Sequence, residues 1–206
     1  DIMALIVQKY GGTSVADLDH IKRVADRVKA IYDQGNQIAV VVSAMAGVTD
    51  QLVQWVREIE TKQSNSEYDT VVSTGEQVTV GLLAIALQAL GVPARSWLGW
   101  QVPFETNCFY GSARISNVKS EGIAGCLAQG EVPIVAGFQG ISSEGRITTL
   151  GRGGSDTSAV ALAAALNADR CDICTDVNGV FTADPRIVPG AQKLDKITYE
   201  EMLEMA

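Results

Sequence analysis

Short aliphatic runs alternate along this chain with longer stretches in which apolar residues recur at helical spacing. The clearest run, residues 38–43, is almost entirely apolar, which is typical of a strand covered on both faces. Between Leu18 and Ile31 apolar residues recur every three or four positions, with charges on the other face, and Gly35 ends that pattern. Alternation of strands and helices predicts an α/β fold with a mainly parallel sheet between helix layers.

The same patterns predict the remaining elements. Strands are expected at 4–8, 94–98, 133–136 and 172–176, and a β-hairpin at 141–149 with Gly145 in its turn. Helices are expected at 48–59, 68–90 with an interruption near Gly75, 120–129, 155–167 and 198–206. The pattern contains no repeat and no linker, so a single domain is predicted over 1–206.

Composition and charge narrow the function classes. The chain has 206 residues, of which 47% are hydrophobic and 19% charged, enough apolar surface for a sizeable core. Sixteen basic and 24 acidic residues give a net charge of −8, which argues against a nucleic-acid partner. Because no apolar run reaches the ~18–20 residues of a membrane span and no leader pattern is evident, we expect a cytoplasmic protein without a membrane partner.

Cys171 and Cys174 form a C-x-x-C pair, a spacing that occurs in redox and zinc sites. They fall in a segment, 171–175, that is predicted to be extended, where side chains three positions apart point to opposite faces. The sequence therefore predicts reduced cysteines and no metal site.

The first candidate for chemistry is the segment 9–14, Lys-Tyr-Gly-Gly-Thr-Ser, between a predicted strand and a predicted helix. Ligands gather beyond the carboxyl ends of parallel strands, and glycines let backbone N–H groups face an anion. Lys9 adds a full positive charge. The segment is either a phosphate site or a tight turn with a surface lysine.

Two further segments combine glycines or turn residues with charged side chains. The segment 151–156, Gly-Arg-Gly-Gly-Ser-Asp, opens a predicted helix and offers the planar fork of Arg152 to a carboxylate or phosphate, the alternative being a flexible capping loop. The segment 175–186 suits a nucleotide or is an ordinary polar loop. The segments 43–49 and 73–76 carry small hydroxyl residues that either bind a ligand or only cap helices.

Taken together, these motifs resemble aspartate kinases over nearly the whole chain and in the same order. They are Lys-Tyr-Gly-Gly-Thr-Ser-Val at 9–15, Val-Ser-Ala-Met at 42–45, Ser-Thr-Gly-Glu at 73–76, Gly-Phe-Gln-Gly at 137–140, Leu-Gly-Arg-Gly-Gly-Ser-Asp at 150–156 and Thr-Asp-Val-Asn-Gly-Val-Phe-Thr-Ala-Asp-Pro-Arg at 175–186. The resemblance implies the amino-acid-kinase fold, a three-layer α/β/α sandwich. It also implies transfer of the ATP γ-phosphoryl group, with Mg²⁺, to the β-carboxylate of L-aspartate, the first step of lysine, threonine and methionine synthesis.

The resemblance also implies roles for individual residues. Lys9 would contact the transferring phosphoryl group, with Gly11, Gly12 and Ser14 around the phosphates, and Asp156 would organise the site. Arg152 would hold the α-carboxylate of aspartate. The remaining residues of the amino-acid site would be Ser43, Thr49, Glu76 and Ser155, and the nucleotide site would be lined by Thr175, Asp176, Phe181, Asp184 and Arg186. Phe181 stands where the family more often has Tyr.

Members of the family continue beyond the motifs found here with a Gly-Ala-Lys segment that reaches ATP and with ACT-type regulatory domains. The resemblance therefore implies a catalytic domain that is incomplete at its C-terminus, from a parent enzyme that is oligomeric. Other readings remain open: a silent nucleotide-binding or association fragment, or another amino-acid kinase such as N-acetylglutamate kinase or a nucleoside-monophosphate kinase.

The implied chemistry requires no general base, because a carboxylate nucleophile with a pKa of ~4 is already ionised at neutral pH. The difficulty is to bring two anions together, which positioning and charge neutralisation by Lys9, backbone amides and Mg²⁺ would overcome.

Overall fold

Nine strands and six α-helices are present in the computed structural model, which describes residues 3–59, 65–175, 190 and 192. The strands are β1 (Leu5–Tyr10), β2 (Gln37–Val42), β3 (Ala94–Trp97), β4 (Phe104–Thr106), β5 (Ile115–Val118), β6 (Val132–Ala136), β7 (Gln139–Ser142), β8 (Ile147–Thr149) and β9 (Arg170–Cys174). The helices are α1 (Leu18–Tyr32), α2 (Val48–Ile59), α3 (Ser66–Val72), α4 (Thr74–Ala89), α5 (Glu121–Ala128) and α6 (Gly154–Leu166), and a short 3₁₀ helix spans Gly12–Val15.

The central sheet contains five strands in the order β3-β6-β2-β1-β9, and every neighbouring pair is parallel. In the register of β1 and β2, Lys9 lies beside Val41 and Tyr10 beside Val42, so both strands end at the same edge of the sheet. The β2 strand reads as a continuous apolar run because both of its faces are buried.

Helices cover both faces of this sheet. On one face α1 and α4 enclose a core of aliphatic residues that includes Val24, Val40 and Leu83. On the other face α5 and α6 pack over Val41 and Val135, and Leu162 of α6 is buried in the same core. The predicted sandwich of a mainly parallel sheet between two helix layers is confirmed.

A second sheet of four strands, in the order β5-β4-β7-β8, was not predicted in full. The hairpin of β7 and β8 is confirmed, and Gly145 lies in its turn with a φ of 73°. The strands β4 and β5 were missed because they are three and four residues long and half of the residues in β5 are polar. Their pairing depends on partners distant in sequence, which local patterning does not reveal.

The helical stretch predicted over 68–90 with an interruption near Gly75 is two helices, α3 and α4, which meet at Ser73, so the interruption is confirmed two residues earlier in the chain. Taken together, Ser66–Ala89 spans 24 residues and is apolar enough to cross a bilayer by length and composition alone. Half of its most apolar stretch is buried inside the protein, as is usual for the core helix of a globular domain.

The last described strand, β9, spans Arg170–Cys174 rather than the predicted 172–176. Cys171 packs against the core on the α6 side of the sheet and Cys174 against the core on the α1 side. Both are free thiols. The prediction that they point to opposite faces of the sheet is confirmed.

By its internal contacts the chain divides into residues 1–174 and residues 175–206. All elements above belong to the first unit. The predicted helix at 198–206 lies outside the described residues, and the single domain over 1–206 stays a prediction.

The packing of α6 predicts a difference in stability between two truncations on one helix. Leu162→Ala empties a fully buried position and should lower the free energy of unfolding by about 2–5 kcal/mol in urea denaturation. Val160 is 57% exposed, so Val160→Ala should change it by no more than about 0.5 kcal/mol. Similar losses for both variants would contradict the orientation of α6 described here.

Candidate active site

A cavity of 440 Å³ opens beyond the carboxyl ends of β1, β2 and β6. Five segments distant in sequence form its wall: the end of β1 with the turn that follows it, the loop before α2 with the first turn of that helix, the first turn of α4, the residue before β7, and the loop that enters α6 with the first turn of that helix. The lining residues are Lys9, Gly12, Ser43, Ala44, Met45, Ala46, Gly47, Thr49, Asp50, Glu76, Phe138, Gly151, Arg152, Gly153, Gly154, Ser155 and Asp156. This is the edge of a parallel sheet where ligands usually bind.

Lys9 is the cation at the floor of the cavity. It is the penultimate residue of β1 and only 9% exposed, and its Nζ lies 2.6 Å from Asp156 Oδ1 on the first turn of α6. The ion pair links the sheet to the helix beside it. A buried ammonium with one carboxylate neighbour keeps donors available for an anionic ligand.

Glu76 is a buried carboxyl group on the first turn of α4, 2% exposed. Its Oε1 accepts a hydrogen bond of 3.0 Å from the Ala44 backbone N–H, whereas its Oε2 has no partner among the described residues. Burial raises the pKa of this carboxyl to about 7, although the Ala44 hydrogen bond acts in the opposite direction. A buried acceptor oxygen without a hydrogen bond lowers the stability of the folded state unless a ligand supplies the missing donor.

Gly75 lets α4 approach the loop after β2 closely enough for that hydrogen bond. A Cβ atom at this position would lie 2.7 Å from the Ala44 Cβ and 3.2 Å from Val48 Cγ1. Only glycine fits at that separation without moving the loop. Within the Ser-Thr-Gly-Glu motif, Gly75 therefore permits close packing and Glu76 supplies the buried acid.

The loop entering α6 carries the second cation. Gly153 caps the helix in the left-handed conformation, with a φ of 72°, where glycine is unstrained. Arg152 is exposed at the cavity mouth and makes no ion pair with any described residue, whereas Ser155 is buried. The loop therefore presents a guanidinium to the cavity with its hydrogen-bonding fork available.

Phe138 lines the cavity and was not identified from the sequence. It has a φ of 69°, rare for a residue other than glycine, and its N–H donates to Ser158 Oγ at 3.1 Å. The available signal was its position two residues beyond the end of β6, inside the Gly-Phe-Gln-Gly motif, because ligands bind at the edge where parallel strands end.

The cavity brings together most of the site residues predicted in the first unit: Lys9, Gly12, Ser43, Thr49, Glu76, Arg152, Ser155 and Asp156. Gly11 and Ser14 are not in its lining. Gly11 lies beside Lys9, since a Cβ there would be 3.4 Å from Nζ, and the Ser14 N–H donates to the Gly11 carbonyl within the turn. Thr175 belongs to the second unit. Four predicted nucleotide-site residues, Asp176, Phe181, Asp184 and Arg186, lie outside the described residues.

The arrangement suits a small zwitterion or dianion. Lys9 and Arg152 supply positive charge at two points of the wall, and the unpaired Glu76 oxygen accepts a donor such as an ammonium group. With a parallel sheet and these groups beyond its carboxyl edge, the chain has the features of α/β proteins that bind small anionic ligands.

Comparison with known proteins specifies the family. The amino acid kinase family matches residues 4–206, and the chain belongs to that family. An aspartate kinase of Stutzerimonas stutzeri is 55% identical over 204 residues, which cover 99% of this chain and 50% of the relative. The chain spans about half the length of the curated relatives it matches.

Solved structures agree with this assignment. The aspartate kinase of Synechocystis is 49% identical, with a TM-score of 0.84 over 98% of this chain and 33% of its own. Aspartokinase III of E. coli, solved with aspartate and ADP, is 33% identical, with a TM-score of 0.86 over 98% of this chain and 56% of its own. The amino-acid-kinase fold is therefore confirmed.

The burial of Glu76 predicts a pH dependence of stability. Because the pKa of this acid is raised from 4.5 to about 7 on folding, the folded state holds a proton that the unfolded state releases between these values. Stability should fall as pH rises through that window, with a contribution from Glu76 of about 3 kcal/mol. Glutamine does not titrate, so Glu76→Gln lacks this contribution. Between pH 4.5 and 7 the unfolding free energy of the wild type should therefore fall by about 3 kcal/mol more than that of the variant, as measured by urea denaturation.

The matched control is Glu58→Gln, which changes an exposed acid on α2. Its stability should follow that of the wild type at every pH. If Glu76→Gln also follows the wild type from pH 4.5 to 7.5, then Glu76 does not titrate as its burial requires.

Proposed function

We propose that this chain is the catalytic part of an ATP-dependent L-aspartate kinase, which transfers the γ-phosphoryl group to the β-carboxylate and forms 4-phospho-L-aspartate. The observation that carries the proposal is the cavity lined by Lys9, Arg152 and buried Glu76, one oxygen of which has no partner in the part of the chain that the structure describes. A cytoplasmic location, an oligomeric parent enzyme and a place in lysine, threonine and methionine synthesis belong to the same proposal.

In this proposal aspartate is bound through its amino-acid end. Arg152 holds the α-carboxylate with two parallel N–H···O bonds, since its guanidinium is not engaged by a described acid. The α-ammonium group donates to Glu76 Oε2 and thereby supplies the donor that this oxygen lacks. Ser43, Thr49 and Ser155 complete the site at the same wall.

The β-carboxylate then points toward Lys9, where phosphoryl transfer takes place. The carboxylate is ionised at neutral pH, so the site needs no proton acceptor for the attack. Lys9 neutralises charge on the transferring group, and Asp156 holds the lysine in place through the 2.6 Å ion pair. Gly11, Gly12 and Ser14 form the turn beside it, where the phosphates are expected.

Mg²⁺ is part of the proposal as the ion that neutralises phosphate charge. Asp156, with its side chain 49% exposed, is the carboxylate beside Lys9 that would hold it. Among the described residues no group of three or more His, Cys, Asp or Glu side chains is arranged to hold a metal. Mg²⁺ commonly binds through phosphates, waters and only one or two carboxylates, so the donor set present here fits it.

The nucleotide is expected to contact residues 175–186. Thr175, Asp176, Phe181, Asp184 and Arg186 remain proposed on the resemblance of this segment to the family motif. Support for nucleotide use comes from the E. coli relative, which was solved with ADP.

A first test separates this proposal from a silent or purely associating fragment. ATP and L-aspartate are titrated into the protein separately by calorimetry, followed by a coupled assay for ADP release with aspartate, N-acetylglutamate and a nucleoside monophosphate. Aspartate-dependent turnover is the expected result. Binding of neither ligand would leave only an association role.

Arg152→Lys should weaken aspartate binding more than ATP binding. Lysine keeps the charge but loses the planar fork, so the aspartate KM should rise about tenfold, which corresponds to ~1.4 kcal/mol, while the ATP KM stays close to that of the wild type. Steady-state kinetics with each substrate varied in turn provide the measurement. A selective rise in the ATP KM would instead place Arg152 on the nucleotide side.

Lys9→Ala should lower kcat by about 10²–10³, the usual effect of losing one charge contact to the transition state, with little change in the aspartate KM. The control is Lys22→Ala, since Lys22 has a side chain 69% exposed on α1 and should not affect kcat. An unchanged kcat in Lys9→Ala would falsify the role assigned to Lys9.

A further inference from the structure

Asp69 is a fully buried carboxylate on α3, outside the cavity lining. Its Oδ1 accepts hydrogen bonds of 2.8 Å from both the Gly111 N–H and the Thr149 hydroxyl, and its Oδ2 accepts one of 2.7 Å from the Thr149 N–H. Three donors converge on one side chain. Such a group is retained in a core only where its donors are held in place, because an unsatisfied buried carboxylate is very unfavourable.

The three hydrogen bonds join segments that lead to two different parts of the cavity wall. Thr149 is the last residue of β8, and the chain continues directly into the loop that presents Arg152. On the other side, α3 passes through Ser73 into α4, whose first turn carries Glu76. Asp69 therefore links the loop of Arg152 to the helix of Glu76.

A second buried contact holds the same helix junction. The side chain of Gln139, on β7, is fully buried, donates from Nε2 to the Ser73 carbonyl at 2.9 Å and accepts from the Gly99 N–H at 3.2 Å. The helix α3 has only seven residues, too few to be stable by itself. Its position relative to the second sheet must come from tertiary contacts such as these.

We infer that Asp69 is a positioning residue for the amino-acid substrate: it sets the separation between Arg152 and Glu76 without touching the ligand. The inference rests on the proposed function, in which these two residues hold the two ends of one amino acid. Binding at both ends is sensitive to their separation, because a displacement of about 1 Å in a positioned group is enough to cost ~100-fold in rate.

The test is Asp69→Asn, which keeps the size of the side chain but replaces one acceptor oxygen by an NH₂ group. The NH₂ group is a donor and would face the N–H or hydroxyl donors that now bind the carboxylate. Because it cannot accept from them, at least one of the three hydrogen bonds is lost. The aspartate KM should rise about tenfold, and the ATP KM should change by less than about twofold.

A matched pair at Thr149 provides a milder test that does not alter the carboxylate. Thr149→Val removes the hydroxyl donor and keeps the shape, whereas Thr149→Ser keeps the donor. Thr149→Val should shift the aspartate KM in the same direction as Asp69→Asn, and Thr149→Ser should remain close to the wild type. Equal shifts in both variants would assign the effect to packing and overturn the inference.

Leu87→Val is the control that distinguishes a general loss of stability from a specific effect on the cavity. Leu87 is fully buried on α4, eleven residues beyond Glu76 and therefore about 16 Å along the helix axis. This variant destabilises the same helix away from the cavity, and both KM values should stay unchanged. If it reproduces the KM shift of Asp69→Asn, the role of Asp69 is merely structural.

Hydrogen exchange tests the inference without turnover. In Asp69→Asn the amides of residues 150–156 should exchange about tenfold faster than in the wild type, while those of α1 remain protected. Unchanged exchange in this loop overturns the inference, whether or not the protein phosphorylates aspartate. Absence of aspartate-dependent turnover in the wild type, together with faster exchange in the variant, would reject the proposed function but leave the control of the Arg152 loop by Asp69 in place.

Discussion

The parallel register of the central strands is the constraint on which the site depends. Because β1 and β2 run side by side in the same direction, Lys9 and Ser43 end up at one edge, and the Ser43 N–H donates to the Tyr10 carbonyl there. The β6 strand, paired parallel with β2, adds Phe138 to the same edge. Any antiparallel exchange among these strands would send one of the three groups to the opposite end of the sheet.

Buried polar side chains then position the parts that the sheet does not carry. Glu76 holds the loop after β2 through Ala44, Asp69 holds the end of β8, and Gln139 holds the junction of α3 and α4. Each of these groups would be costly in the core without its donors, so the arrangement of helices and loops is specified more sharply than apolar packing alone would allow. The candidate active site lies where these contacts meet.

Local sequence patterns predicted an element correctly wherever its own residue periodicity shows which of its faces are buried. The run 38–43 predicted β2 because both faces of that strand are covered, and the helical spacing from Leu18 predicted α1 because one face packs on the sheet. The interruption near Gly75 was predicted and lies at Ser73, whereas the strands β4 and β5 were not predicted, since their pairing depends on partners outside each short strand. Asp69 resembles an ordinary acid in the first turn of a helix and gives no local sign of burial.

By itself the sequence determined the α/β class, most element positions and the residue types at the site, because hydrophobic periodicity and glycine-rich turns after strands are local properties. Only the tertiary structure decided which of those residues share one cavity, that one Glu76 oxygen has no partner among the described residues and that Asp69 connects α3 to the end of β8. These facts depend on desolvation and on distances between segments far apart along the chain, and no pattern within one segment contains them.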